Sequence, residues 1–293
     1  MNSNKNTLAS WTWLVIAFAF LYVPMVLLII YSFNESRLVT VWSGFSTKWY
    51  GELFKDRQML TAAVMSLKLA FVSATTAVII GTMAAIVLTR MGRFRGKTLF
   101  SALITAPLVM PEVITGLSLL LLFVSADVLV SSWFGWSISK GFSTLWVAHS
   151  TFSAAFTTVV VTSRLREMDQ SIEEAAQDLG APPWKVFFVI TLPIIAPALV
   201  SGWLLAFTLS LDDLVISAFV SGPGSTTLPM VVYSSVRLGV SPKINALASI
   251  IILIVTLAIT IAGVLMYRLE KKREREMEQA VAEGQQQALA SSP

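Results

Sequence analysis

Residues 166–193 of this chain read REMDQSIEEAAQDLGAPPWKVFFVITLP, a polar run that turns apolar over its last third. Ser171 followed three residues later by Glu174 has the form of a capping box. In that arrangement hydroxyl and carboxylate each satisfy a backbone donor that a helix start leaves orphaned, so a helix is expected to begin there. Gly180 suits the left-handed position that closes such a helix. Pro182 and Pro183 cannot sit in a helix interior but can open a new one, which leads through Trp184, Phe187 and Phe188 toward Leu192. The expectation is two short helices at an angle. The first exposes the small side chains of Ala175 and Ala176, which let another backbone approach closely.

On either side of this loop the chain is apolar. Hydrophobic residues make up 55% of the 293 and charged residues 13%, where a soluble domain carries about 25% charged. Six apolar runs stand out, at 13–31, 62–88, 98–124, 142–162, 194–220 and 244–267. Each is near the length that crosses a hydrocarbon core of about 30 Å at about 1.5 Å per residue. The length therefore counts helices rather than domains: an all-α membrane bundle over residues 13–270, a short segment 1–12 before it, and a charged tail 271–293 that turns Gln/Ala/Ser-rich and is expected to fray. The first run contains Pro24 and lacks a small-residue cleavage site before Asn34, so it reads as a retained anchor rather than a signal peptide. With no cysteine and a single histidine, His149, a disulfide framework, a Cys/His zinc site and a cysteine-built iron–sulfur cluster are all excluded.

Orientation follows from the basic residues. The connection between runs two and three holds Arg90, Arg93, Arg95 and Lys97 with no acid, whereas the one between runs three and four holds only Lys140. Positive charge collects on the cytoplasmic side, which places the first of these connections inside. Parity over six spans then puts Lys5, the 163–193 loop with Arg164, Arg166 and Lys185, and the tail with Arg268, Lys271, Lys272, Arg273 and Arg275 inside as well, so both termini are cytoplasmic. The net charge of +4 is thus a topology signal and nothing points to nucleic acid. Outside, residues 32–61 carry Trp42, Trp49 and Tyr50 as interfacial anchors. The basic connection Gly92-Arg93-Phe94-Arg95-Gly96-Lys97-Thr98 imitates a phosphate-binding loop but has one residue too few between its glycines and follows a membrane helix rather than a strand. If ATP drives this protein, another chain must hydrolyse it.

The spacing within the cytoplasmic loop is itself informative: Glu174-Ala175-Ala176, three residues, Gly180, nine residues, Ile190, one residue, Leu192-Pro193. It resembles the EAA signature of bacterial ABC-importer membrane subunits at each of its fixed positions. The stretches APLVMPEVITGLSLLLLF (106–123) and SGWLLAFTLSLDDLVISAFVSGPGSTTLPM (201–230) look most like the permeases of polyamine importers. The resemblance implies a type I ABC-importer (MetI-like) permease fold of six transmembrane helices in the bacterial inner membrane, with a cytoplasmic coupling helix. It assigns coupling to Glu173, Glu174, Ala175, Ala176, Asp178, Leu179 and Gly180. It further implies a second, different permease chain, a pair of ATPase subunits that hold the ATP and Mg while this chain binds no cofactor, a periplasmic substrate-binding protein, and a surround of membrane lipid. The cargo would be a polyamine, putrescine first and spermidine next, and no residue of this chain would perform covalent chemistry.

Ionisable groups at membrane depth are costly unless paired or facing water, which makes Lys68, Glu112, His149, Asp212 and Asp213 candidates for function. Three acids against one lysine suit a cationic cargo, and an inside-negative potential contributes about 2.3 kcal/mol per charge for each 100 mV. On a continuous helix Asp213 shares its stripe with Gly202, Ala206, Ser210 and Ser217, whereas Asp212 shares one with Leu205, Thr208, Val215, Ile216 and Phe219. The expected pathway residues are therefore Asp213 first, with Glu112, Asp212, Ser210, Trp203 and Phe207. Alternatives stand beside each. Either aspartate can be a helix–helix hydrogen-bonding partner, and Glu112, following Pro111 near the middle of its run, can sit on a fresh helix N-terminus. Trp203 and Phe207 can be packing rather than a cation site, and His149 a packing residue. Lys68 can snorkel to the interface or pair with an acid. The rival function is a proton-coupled secondary carrier of small organic cations with Glu112 and Asp213 as relay groups, which leaves the loop signature without a purpose.

Overall fold

A computed structural model describes residues 3–38, 41–238 and 241–257, and beyond them Thr260, Ile261, Val264, Arg268 and Lys271. The end of the sixth expected span and the tail after Lys271 lie outside the described residues. Nearly everything described is helical; the one isolated bridge pairs Asn34 with Phe45. Among the described residues, five helices are long and apolar enough to cross a membrane: Ser10–Ser32, Arg57–Arg90, Glu112–Phe134, Phe142–Glu167 and Pro183–Leu211. The chain divides into two compact units, Met1–Lys55 with Gly239–Pro293, and Asp56–Leu238.

The first unit contains α1 (Ser3–Ser32), α2 (Lys48–Lys55) and the shorter apolar helix Pro242–Leu257. Asn34, buried just past α1, organises the loop that follows. Its side-chain amide donates to the Val41 carbonyl (2.7 Å), its side-chain oxygen accepts from Ser36 and Ser43 backbone N–H groups, and its own carbonyl accepts from the Trp49 indole (2.7 Å). Phe33 stacks on Phe45 and tilts against Tyr50, whose hydroxyl lies 2.7 Å from Ser32 Oγ. The loop expected to hold interfacial aromatics is thus an ordered cap.

The second unit is built on three helices that pack on one another: α3 (Arg57–Arg90), α6 (Phe142–Glu167) and α9 (Leu192–Leu211). They meet through small side chains, as membrane helices do when packing rather than water exclusion drives association. Ala74, Ala77, Ala154 and Ala206 form one buried cluster. A Cβ on Gly81 would lie 2.9 Å from the Thr157 Cβ, and one on Gly202 3.2 Å from the Thr157 methyl, so α6 is gripped from both sides at Thr157. α6 is the most enclosed of the described spans and the least apolar, with His149 and most of its Ser and Thr side chains buried in protein.

Two expected spans are interrupted. The run 98–124 is two helices, α4 (Lys97–Val109) and α5 (Glu112–Phe134), separated by extended backbone at Met110 and Pro111, and it continues ten residues beyond its expected end. Pro107 stays inside α4; the break falls at Pro111, whose ring forces the residue before it out of helical ψ. The run 194–220 ends α9 at Leu211 and restarts as α10 (Val215–Val220), which corrects the premise that Asp212 and Asp213 ride one continuous helix. The segments after the two breaks pack on each other: a Cβ on Gly116 of α5 would lie 2.7 Å from the Phe219 ring of α10. After α10, Gly222 packs so tightly on the Lys140 carbonyl that no side chain fits, and α11 (Leu228–Leu238) returns along α3, where its first N–H donates to Ser66 Oγ (2.7 Å).

Candidate functional site

Two places gather the chemistry: the loop between α6 and α9, and the break at the end of α9. In the loop, α7 (Ser171–Asp178) forms where expected, but the capping box does not. Gln170 occupies the cap position without a side-chain bond, because Ser171 already lies inside the first turn. The Ser171 N–H donates instead to Asp169 Oδ1 (2.9 Å), and this bond with the Ser171 side chain holds the fully exposed Asp169 carboxyl below its ordinary range. The other end closes as read from the sequence: Gly180 is left-handed at φ 85°, its N–H donates to Gln177 and that of Ala181 to Ala176, a Schellman closure. Pro183 opens α8 (Pro183–Val186), which is not free-standing: it runs through a π turn, Phe187–Thr191, directly into α9. Ile172, Leu179 (90% exposed) and Trp184 (67%) leave a band of apolar surface on this loop, and Glu174, Ala175 and Asp178 are exposed beside it.

Glu173 faces the other way. Its Oε2 lies 2.8 Å from Arg90 Nε at the end of α3, and its Oε1 accepts from the Thr191 hydroxyl at 2.6 Å. Both charged side chains are largely withdrawn from solvent, 12% and 17% exposed. No local pattern announces this pair, since Arg90 is in a different connection; the π turn at Phe187–Thr191 has no sequence signal either.

At the α9 break, Asp213 turns inward. Its carboxylate accepts from the backbone N–H groups of Ile216 (3.2 Å) and Ser217 (2.8 Å), so it caps α10, and it lies 3.4 Å from His149 Nε2. His149 is 2% exposed, with its ring nitrogens 2.7 Å from Ser210 Oγ and 3.1 Å from Ser217 Oγ. Ser210 and Asp213, both expected on the pathway, are thus joined to α6 through one imidazole. Asp212 closes α9 and is exposed, in register with Thr208, Leu204 and Ser201, also exposed. Trp203 and Phe207 stack at 5.1 Å, the Phe71 ring sits edge-on to Trp203, and the Trp203 indole donates to Thr75 Oγ1 (3.1 Å). Glu112 is the exposed first residue of α5 and is not among the partners of His149. Among the described residues Lys68 pairs with no carboxylate, and its ammonium lies 5.0 Å over the Phe142 ring.

Long apolar helices packed through small residues, two of them broken inside the bundle, define a multi-pass helical membrane protein. The chain belongs to the family of binding-protein-dependent transport system inner membrane components, whose family model matches residues 77–275. It is 61% identical over 267 residues to the putrescine transport system permease protein PotI of Escherichia coli (strain K12), covering 91% of this chain and 94% of that one. It is 43% identical to the spermidine/putrescine transport system permease protein PotC of the same organism, over 86% of this chain and 90% of that one. Among solved structures, a chain of a bacterial ABC transporter that imports the acidic polysaccharide alginate superposes with a TM-score of 0.68 at 16% identity, covering 90% of this chain and 96% of that one. A chain of the inward-facing MetNI methionine ABC transporter gives 0.56 at 19% identity, covering 72% of this chain and 94% of that one. The fold is therefore the MetI-like fold of ABC-importer permeases, in a multi-pass inner-membrane transport component.

Proposed function

We propose that this chain forms part of the translocation pathway for a polyamine, putrescine first and spermidine next, in an ATP-driven importer. The observation that carries the substrate is the 61% identity to the putrescine permease over nine-tenths of both chains. Both termini and the α6–α9 loop face the cytoplasm, in keeping with the basic residues of the Arg90–Lys97 connection. A second, different permease chain completes the pathway, a periplasmic binding protein delivers cargo, and an ATPase pair carries ATP and Mg.

The exposed band of Ile172, Leu179 and Trp184, with Glu174, Ala175, Ala176, Asp178 and Gly180 about it, is the surface on which the ATPase docks; an apolar side chain left 90% exposed on a short capped helix is what a partner groove would cover. Within the membrane, Asp212 faces the pathway together with Thr208, while Asp213 and Ser210 brace the break behind it. An exposed carboxylate at the end of α9 is placed to present negative charge to an ammonium. ATP closure of the ATPase pair moves the docked loops and opens the cavity outward; hydrolysis returns it inward.

ATP hydrolysis by the complete importer in proteoliposomes, with its binding protein, is the test. Putrescine is expected to stimulate hydrolysis at lower concentration than spermidine. Stimulation by neither removes the polyamine reading, and uptake in vesicles lacking the ATPase subunits would point instead to a proton-coupled carrier.

A further inference from the structure

We propose that Glu173 is a positioning residue that clamps the coupling helix to two membrane helices at once, so that α7 moves together with the adjoining ends of α3 and α9 rather than swinging on its loop. The inference rests on the reading of α7 as the ATPase dock. Its physical basis is one carboxylate divided between two elements. Oε2 meets Arg90, the last residue of α3, at 2.8 Å, and Oε1 receives the hydroxyl of Thr191, the last residue of the π turn that leads into α9, at 2.6 Å. Thr191 is buried, and the ion pair is mostly shielded, so solvent screening weakens it less than it does a surface pair. The contrast lies nearby: Arg164 and Glu167 pair at 3.2 Å within one helix, well exposed, and join nothing.

Arg90 depends on this partner. Its Nε contact to Glu173 is a close charge contact without hydrogen-bond alignment, and its buried Nη2 has no hydrogen-bond partner among the described residues, so removing the carboxylate leaves an uncompensated guanidinium. The π turn contributes the second half. Such turns carry an extra residue in the helical ladder and are frequent at functional sites; this one sets Thr191 at the junction where α9 begins. Further along, α3 and α9 touch again where Trp203 bonds Thr75 and meets Phe71. The two helices held by Glu173 therefore meet again at this aromatic cluster, and a displacement of α7 reaches it from both sides.

The test uses the complete importer in proteoliposomes with its binding protein and putrescine, measuring cargo taken up per ATP hydrolysed alongside co-purification of the ATPase subunits. Glu173→Gln, which keeps an acceptor for Thr191 and loses the charge, and Arg90→Gln are each expected to retain the ATPase subunits and to continue hydrolysis while uptake per ATP falls about tenfold. The double variant is expected to fall no further than either single one, because both remove the same contact, and Glu173→Asp to recover part of the loss. A wild-type uptake ratio in both single variants, additive losses in the double variant, or dissociation of the ATPase subunits from either would overturn the clamp. Leu179→Asp addresses the dock separately: it is expected to shed the ATPase subunits, and their retention there refutes the docking surface whatever the Glu173 variants do.

Discussion

A single peptide bond separates Asp212, exposed at the close of α9, from Asp213, whose carboxylate is only 7% exposed and turned onto His149 and the first backbone donors of α10. Asp213→Ala is expected to cost about 1–2 kcal/mol as a lost cap, read as a lower unfolding midpoint of the detergent-solubilised importer. Asp212→Asn should leave that midpoint unchanged within about 0.5 kcal/mol and lower putrescine uptake. Equal effects of the two on stability would contradict the division of labour. The sequence assigns the surroundings of the two acids on the assumption that the helix runs on through Leu214, which the break at Asp212 removes. With neither Gly nor Pro at the break, the available signal is Asp213 itself, a preferred helix-capping residue ahead of a short apolar turn. Asp169 gives a pH prediction. Its carboxyl is held low by Ser171, so its contribution to α7 is complete above the ordinary carboxylate range and is lost only as pH falls through the lowered value. Docking of the ATPase is expected not to vary through Asp169 between about pH 5 and 8, which co-purification across that range checks.

Among elements, the α3–α6–α9 core depends on the absence of side chains at Gly81 and Gly202, both against Thr157. A Cβ on Gly81 meets the Thr158 backbone nitrogen at 3.0 Å as well as the Thr157 side chain, and backbone cannot rotate away. Gly81→Val is therefore expected to destabilise by about 1–3 kcal/mol through overpacking, again measured as a midpoint shift; a neutral result would mean the helices are not in this register. Element ends differ in how legible they are. Gly180 and Pro183 announce their turns because each residue restricts its own backbone, and the structure follows them. Ser171 and Glu174 have the composition of a cap, but Asp169, two residues upstream, is better placed to take the free N–H group. The π turn and the Arg90–Glu173 pair depend on tertiary juxtaposition and leave no periodic trace.

For the molecule as a whole, apolar runs and fixed loop spacing carry the fold, because lipid demands long self-satisfied helices and little else satisfies that demand. What they miss is where those helices stop: α3 spans 34 residues, about 51 Å at 1.5 Å per residue, well beyond a hydrocarbon core of about 30 Å. Orientation is open to direct measurement, since the chain has no cysteine. A single cysteine at Ser137, in the turn after α5 that Asp127 organises, is expected to react with an impermeant maleimide added to intact spheroplasts. One at Leu179 is expected to react only once the membrane is opened. The reverse pattern would invert the protein in the bilayer and with it the placement of the ATPase.

α5 and α10 each follow an interruption, and each leans on the other at Gly116. Neither is therefore steered solely by the helix it continues, and a push delivered to one is shared with a segment about a hundred residues away in the chain. A methyl group at position 116 would meet the Phe219 ring and force that ring or the two segments to shift, which makes a lone hydrogen atom the latch on which two half-spans close.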